Sequence, residues 1–255
     1  MSSSYRIQAA TGIHRGDREY QQDQVLLMSH PYAKGCILGI VADGMGGRSG
    51  GRKASDQVML TARQLFERFE PAKEDCMRML RTIVQDAHTV IRLTAIASEQ
   101  EPHSTLAAFV MLPDGVCHFM HSGDSRLYHF RGDRLLHRSL DHSYVQALVD
   151  RGDISEDEAD NHPQSNILLG CLGAESPPPM VHHRLETMQP GDTLMACSDG
   201  VWHYFSTQEL ATVLDGLSPR EASEFLIEKA RQRAAGGGDN LSLAILKLAE
   251  PENAS

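Results

Sequence analysis

Four aspartates stand where an apolar run meets glycine. They are Asp43 in Val41-Ala42-Asp43-Gly44-Met45-Gly46-Gly47, Asp124 in Ser122-Gly123-Asp124-Ser125-Arg126, Asp199 in Ser198-Asp199-Gly200 and Asp239 in Gly238-Asp239-Asn240. Asp and Gly dominate turns, and the Gly-Asp pairs at 16–17, 132–133, 152–153 and 191–192 read as turns and nothing more. Setting separates the four from these. Asp43 and Asp199 each close an apolar run and precede glycine, and Asp239 follows three glycines and opens one. Strand ends of one sheet can converge, so several carboxylates can face one point, where they repel. A bound Mg2+ or Mn2+ neutralises them, and oxygen-only ligands select those ions. Glycine beside such a carboxylate lets the backbone turn sharply and approach a ligand closely.

Rival phosphate chemistries lack their residues. There is no G-x-x-x-x-G-K-[ST], and Gly44-x-Gly46-x-x-Ser49 lacks the third glycine of a dinucleotide fingerprint. No D-x-D supports an aspartyl-phosphate nucleophile at Asp43. No C-x5-R cradle exists.

The elements that must position the aspartates follow from periodicity. Cys36–Ala42 is apolar except at Gly39, which reads as a strand buried on both faces. Residues 6–13 and 24–30 read as strands before it. Helices are expected from Lys53 to Phe69 and from Lys73 to Ala97, with apolar residues three and four apart. Short strands follow at Thr105–Leu112, Val116–His121, Arg126–Phe130 and Arg134–His137, the last two flanking the turn Gly132-Asp133. This is an antiparallel meander, unlike the alternation of a doubly wound fold. In residues 143–170, Ser143-x-x-Gln146 and Ser155-x-x-Glu158 read as capping boxes of two short helices, interrupted by glycine, Asn161 and Pro163. This segment reads as a flap over the sheet. Strands at 180–186 and 193–198, helices opened by Ser206-x-x-Glu209 and Ser218-Pro219-x-Glu221, and a strand Leu241–Leu248 complete the chain.

Composition narrows the function classes. The 255 residues fit one large domain or two small ones, and 41% hydrophobic content is enough for a core. A net charge of −10 argues against binding nucleic acid or anionic membrane through a bulk field. Five cysteines, odd in number and far apart with no C-x-x-C, read as buried, reduced thiols of a cytosolic protein. Met1–Arg6 carries no apolar signal region, and no run reaches transmembrane length. His118 and His121 read as strand-surface residues on opposite faces, not as zinc ligands.

Arg18-x-x-Gln21-Gln22-Asp23, the Asp43 motif, Ser122–Arg126, Ser198-Asp199-Gly200 and Gly238-Asp239-Asn240 occur in that order. Together they resemble the metal-dependent protein phosphatases of the PPM (type 2C) family in their bacterial form. Leu140-Asp141-His142-Ser143 and His162-Pro163 resemble that family's bacterial flap. The likeness runs from about residue 6 to 248. It implies an α+β fold, a four-layer αββα sandwich of two antiparallel sheets flanked by helices, in a single domain over 1–255 with the flap at about 143–170. It implies that Asp43 bridges two ions, that the Gly44 carbonyl binds one, and that Asp199 and Asp239 bind the other. Asp23 then lies close, through water. Asp124, with Asp199, matches the position of a third, weaker ion, and Arg18 matches the arginine that receives the substrate phosphate.

The implied function is hydrolysis of phosphoserine and phosphothreonine in proteins by metal-activated water at a binuclear Mn2+ or Mg2+ centre. The rival is a weakly active phosphoprotein-binding regulator on the same fold. The intact aspartate set argues against it. The expected partners are phosphorylated proteins made by a cognate Ser/Thr kinase, with no nucleic acid and no membrane. The expected state is a cytoplasmic monomer. Three positions depart from the family pattern. Met45 stands where eukaryotic members have the histidine of Asp-Gly-His, Arg48 replaces a common bacterial histidine, and Gln21-Gln22 replaces Asn-Glu or Asn-Gln. Protonation of the leaving group is left to a metal-bound water or to a flap histidine such as His142.

Overall fold

The computed structural model describes residues 5–97, 100–160 and 162–251, without the side chains of Arg48 and Asp160. Met1–Ser4 and Asn161, which entered the sequence reading, lie outside the described residues. In chain order the elements are β1 (Arg6–His14), β2 (Gln24–Ser29), β3 (Ile37–Ala42), β4 (Gly44–Met45), α1 (Gly47–Arg68), α2 (Cys76–Ala97), β5 (His103–Ser104), β6 (Leu106–Met111), β7 (Cys117–Ser122), β8 (Arg126–Arg131) and β9 (Arg134–Arg138). Then come α3 (Tyr144–Asp150), α4 (Glu156–Asp160), β10 (Val181–Leu185), β11 (Asp192–Cys197), α5 (Asp199–Trp202), α6 (Thr207–Gly216), α7 (Pro219–Ala234) and β12 (Leu241–Ala249).

Two five-stranded antiparallel sheets, β1-β12-β11-β8-β9 and β10-β7-β6-β3-β2, stack face to face. Side-chain alternation sorts the apolar residues into three cores. In β3, Leu38, Ile40 and Ala42 pack toward α1 and α2, while Ile37 and Val41 face the other sheet. In β12, Ala244, Leu246 and Leu248 face between the sheets, and Leu241, Leu243 and Ile245 pack with α6 and α7. The result is the αββα sandwich. Gly39 interrupts the β3 run because the Phe109 ring lies over it: a Cβ there would sit 2.1 Å from Cζ.

Several expectations need correction. Helix α1 begins at Gly47, six residues before Lys53. Gly51, near the start of α1, lets the helix pack on β4: a Cβ there would lie 2.4 Å from the Gly44 carbonyl oxygen. Helix α2 starts at Cys76, not Lys73, because Asp75 accepts from the Met77 N–H at 2.8 Å and sets the cap. Ser143 does accept from the Gln146 N–H, but the Gln146 side chain donates to Asp150 at 2.8 Å, so that box is half formed. The boxes at Ser206 and Ser218 are complete.

His118 and His121 are not surface residues. They occupy opposite faces of β7 as expected, yet both are buried. His118 Nδ1 lies 2.9 Å from His182 Nε2, and His121 Nε2 bonds the Leu140 carbonyl at 2.8 Å. Nearby, at the edge where β9 and β10 meet across the sandwich, the rings of His137 and His183 stack at 3.8 Å. Burial, then the charge of His183 and its neighbours, lowers the His137 pKa to about 4. A base held neutral in the fold takes up its proton on unfolding below its ordinary pKa of about 6.5. Stability is therefore expected to fall as pH drops from about 6.5 to about 4. Thermal unfolding across that window should show a flatter profile for His137→Gln than for the parent protein; parallel profiles would refute the assignment.

Candidate metal and phosphate site

Register brings the aspartates to one rim. Gln24 pairs with Ala42, so Asp23 and Asp43 leave the β2–β3 hairpin side by side. On the facing sheet, Cys197 pairs with both Leu243 and Arg126, which sets Asp199 and the residues flanking β8 and β12 at the same end. Arg18, Asp43, Gly44, Asp124, Asp199 and Asp239 line one cavity of about 310 Å³. Asn166 and Leu168, on the returning arm of the 143–170 segment, line it too. That arm is anchored by hydrogen bonds from Tyr144 N to Ile167 O and from Leu169 N to His142 O, both 2.8 Å.

Asp23 is buried below this cavity. Its Oδ2 accepts from Ser198 Oγ at 2.7 Å and Ser242 Oγ at 2.8 Å, two hydroxyls of the opposite sheet. Its Oδ1 has no partner, and neither does Asp199 Oδ1, although both atoms are buried. Asp43 is held at the backbone: its N–H donates to Thr105 Oγ1 and its carbonyl accepts from Thr105 N, each at 2.9 Å. Asp239 Oδ1 accepts from the Asn240 N–H at 2.7 Å. Arg18 Nη2 donates to Asp239 Oδ2 at 2.5 Å.

The electrostatics record the crowding. Burial, then the charges of Asp23, Asp199, Asp124 and Asp239, hold the Asp43 carboxyl well above the usual carboxylate range. Burial raises Asp23 to about 7 against the two serine bonds. Burial, then Asp239, raises Asp199 to about 6. Asp124 is pushed up by burial, Asp199 and Asp141.

Hard divalent cations fit this donor set. The groups are carboxylates, two of them present buried oxygens without partners, and the charge needs neutralising. Among the described residues no three His, Cys, Asp or Glu side chains yet surround one ion-sized point.

The family model for protein phosphatase 2C matches residues 12–232, which takes in Arg18, Asp23, Asp43, Asp124 and Asp199 and stops short of Asp239. The chain belongs to the protein phosphatase 2C family. A serine/threonine phosphatase of Listeria welshimeri is 33% identical over 214 residues, 82% of this chain and 83% of the relative. The crystal structure of the Mycobacterium tuberculosis serine/threonine phosphatase PstP/Ppp superposes with a TM-score of 0.83 at 28% identity, covering 96% of this chain and 99% of that one. A structure of the PstP catalytic domain in complex with two manganese ions gives 0.80 at 26% identity, with 96% and 99% covered. This protein phosphatase 2C is thus a metal-dependent phosphoprotein phosphatase, in the αββα fold the sequence implied.

Sequence reasoning placed Arg18 and the five aspartates but missed what holds them. Asn240 is a three-way staple: its Oδ1 accepts from Gln22 N at 2.7 Å, and its Nδ2 donates to Arg15 O and Tyr20 O at 2.8 and 3.0 Å. This fixes the loop that carries Arg18. Ser242 had a legible signal, a hydroxyl between Leu241 and Leu243 in an apolar strand. His142 is withdrawn as a candidate acid. Its Nδ1 accepts from Gly123 N at 3.0 Å, burial lowers its pKa to about 4, and it does not line the cavity.

If the carboxylates repel until an ion joins them, Asp43→Asn should be at least as heat-stable as the parent without metal. Mn2+ should raise the parent's Tm and leave the variant's nearly unmoved. A Mn2+-induced shift of equal size in both would remove Asp43 from the ion site.

Proposed function

We propose that this chain removes phosphate from phosphoserine and phosphothreonine in proteins, with Arg18 receiving the phosphate and the rim aspartates holding its ions. The observation that carries the reading is the meeting of Arg18, Asp43, Asp124, Asp199 and Asp239 in one cavity. In this reading Asp43 bridges two Mn2+ or Mg2+ ions, the Gly44 carbonyl joins one, Asp199 and Asp239 hold the other, and Asp23 lies behind through water. Asp124 and Asp199 share a third, weaker ion. Bound ions supply neutralisation of phosphoryl charge and a nucleophilic water. The chain supplies the rest. The Arg18 fork grips two phosphate oxygens, Asn240 and the Asp17–Gly238 bonds of 2.8 and 3.0 Å fix its loop, and Ser198 and Ser242 hold Asp23 ionisable under the cavity.

The substrates in this reading are products of a cognate Ser/Thr kinase, and the enzyme acts as a cytoplasmic monomer. No described helix is long and apolar enough to cross a membrane. All five cysteines are buried and free, which supports a reducing compartment. Turnover of a phosphothreonine peptide should require Mn2+ or Mg2+ and fall by about a thousandfold or more in Asp239→Asn, a change of roughly 4 kcal/mol in barrier. Metal-independent turnover would overturn the reading.

The 143–170 segment is the reading's specificity element. Asn166 and Leu168 reach the cavity, and α3 and α4 are short. A small aryl phosphate needs only the rim and Arg18, whereas a phosphopeptide also lies against this segment. Exchanging it for a relative's should alter peptide preference and keep aryl phosphate turnover within about tenfold, roughly 1.4 kcal/mol. Equal change in both substrates, or loss of folding, would assign it a covering role only.

A further inference from the structure

Asp124 sits on the tight turn between β7 and β8. Gly123 takes φ 104° there, and a Cβ on it would lie 2.7 Å from Thr105 Cγ2, so the turn has no room to relax toward β6. What fixes its other side is a chain of contacts. Trp202 Nε1 donates to the Asp124 carbonyl at 2.9 Å. The Arg126 guanidinium lies over the Trp202 ring, 3.4 Å from its centroid. Arg126 in turn forks onto Asp141 at 2.9 and 2.7 Å, a pair almost wholly out of solvent. The next residue, His142, returns to the same turn: its N–H donates to Gly123 O at 2.9 Å and its ring accepts from Gly123 N at 3.0 Å.

Trp202 is also the last residue of α5, the single helical turn that Asp199 opens. One rigid turn of helix therefore carries Asp199 at its head and grips the Asp124 backbone at its tail. The spacing between these two carboxylates is set by the indole, and the indole is set by Arg126 and by Asp141 at the root of the 143–170 segment. We propose that Trp202 and Arg126 are positioning residues that fix Asp124 relative to Asp199, so that the weaker ion is held only when Asp141 is docked on Arg126. This rests on the reading of Asp124 and Asp199 as that ion's ligands. The residues touch neither phosphate nor reacting atoms. Their action is through the placement of a carboxylate.

Trp202 is the one tryptophan of the chain, so its fluorescence reports the stack directly. Mg2+ is titrated into protein already holding its two tight ions, with Trp202 emission, ion count by calorimetry, Tm and aryl phosphate turnover read together. Emission should change over the Mg2+ range in which turnover rises. Trp202→Phe keeps a ring under Arg126 but loses the N–H donor. It should retain two tight ions and a Tm within a few degrees, and raise the Mg2+ concentration for half-effect about fivefold or more. Arg126→Lys, which keeps the charge and loses the fork, should do the same. A flat emission over the range where turnover rises would overturn the proposal in the unmutated protein, whatever the variants do. So would a Trp202→Phe protein with a lower Tm and unchanged Mg2+ dependence, the mark of a packing role. Asp124→Ala separates the underlying reading: if it leaves the Mg2+ dependence unchanged, the ion assignment fails. If it abolishes the weak step while Trp202→Phe does not touch it, only the positioning role fails.

Discussion

Like charges brought together out of water are the constraint on which this structure turns. Asp23, Asp43, Asp124, Asp199 and Asp239 occupy one end of the sandwich, and burial is the leading cause of the raised pKa in each of the first four. Two unit charges about 4 Å apart repel by roughly 4 kcal/mol at an effective dielectric of about 20. No sequence keeps such a group ordered without rigid support, and the support here comes from both sheets at once. Asp23 belongs to the β2–β3 sheet, yet its hydrogen-bond donors Ser198 and Ser242 belong to the β11–β12 sheet. The apolar core between the sheets sets the distance over which those hydroxyls reach. Packing and site chemistry are therefore one problem: a change in sheet spacing moves the donors away from the carboxylate.

The strand ends were legible because burial on both faces leaves a signature in a single strand. Cys36–Ala42 and Leu241–Leu248 read as strands without knowledge of their neighbours, and the aspartates at their ends followed. The Gly-Asp pair at 191–192, read as a turn and nothing more, needs correction: Asp192 is a buried residue of β11, held by the Arg131 fork at 2.6 and 3.0 Å. What failed was whatever depended on a partner distant in sequence. The first helix was expected only from Lys53 because the contact that seats Gly51, the Gly44 carbonyl, is a neighbour only after α1 has packed on β4. His118 and His121 read as surface because a single strand does not show what covers either of its faces. Here α2 and the root of the 143–170 segment cover what the strand alone left open. The Asn240 staple joins residues more than two hundred positions apart, and no local pattern announces it. Arg18 was placed by its motif alone, since an isolated arginine in a polar loop carries no periodicity at all.

Arg18 shows how the rim can hold charge of both signs without fixing either. Its guanidinium leans on Asp239, with the two side chains 60% and 39% exposed. An ion pair this open to water contributes about 0–1 kcal/mol, because solvent screens the attraction and ordering two side chains costs entropy. A buried pair such as Arg126–Asp141 is the opposite case, 13% and 7% exposed and closed on both prongs of the fork. Removing one partner there strands a charge in the interior, a loss of several kcal/mol. The two arginines therefore do different work with the same chemistry. Arg126 is part of the frame, and its fork is spent on Asp141. Arg18 keeps a solvent-exposed, exchangeable partner, and both side chains line the cavity, so the arginine is not committed to the frame as Arg126 is.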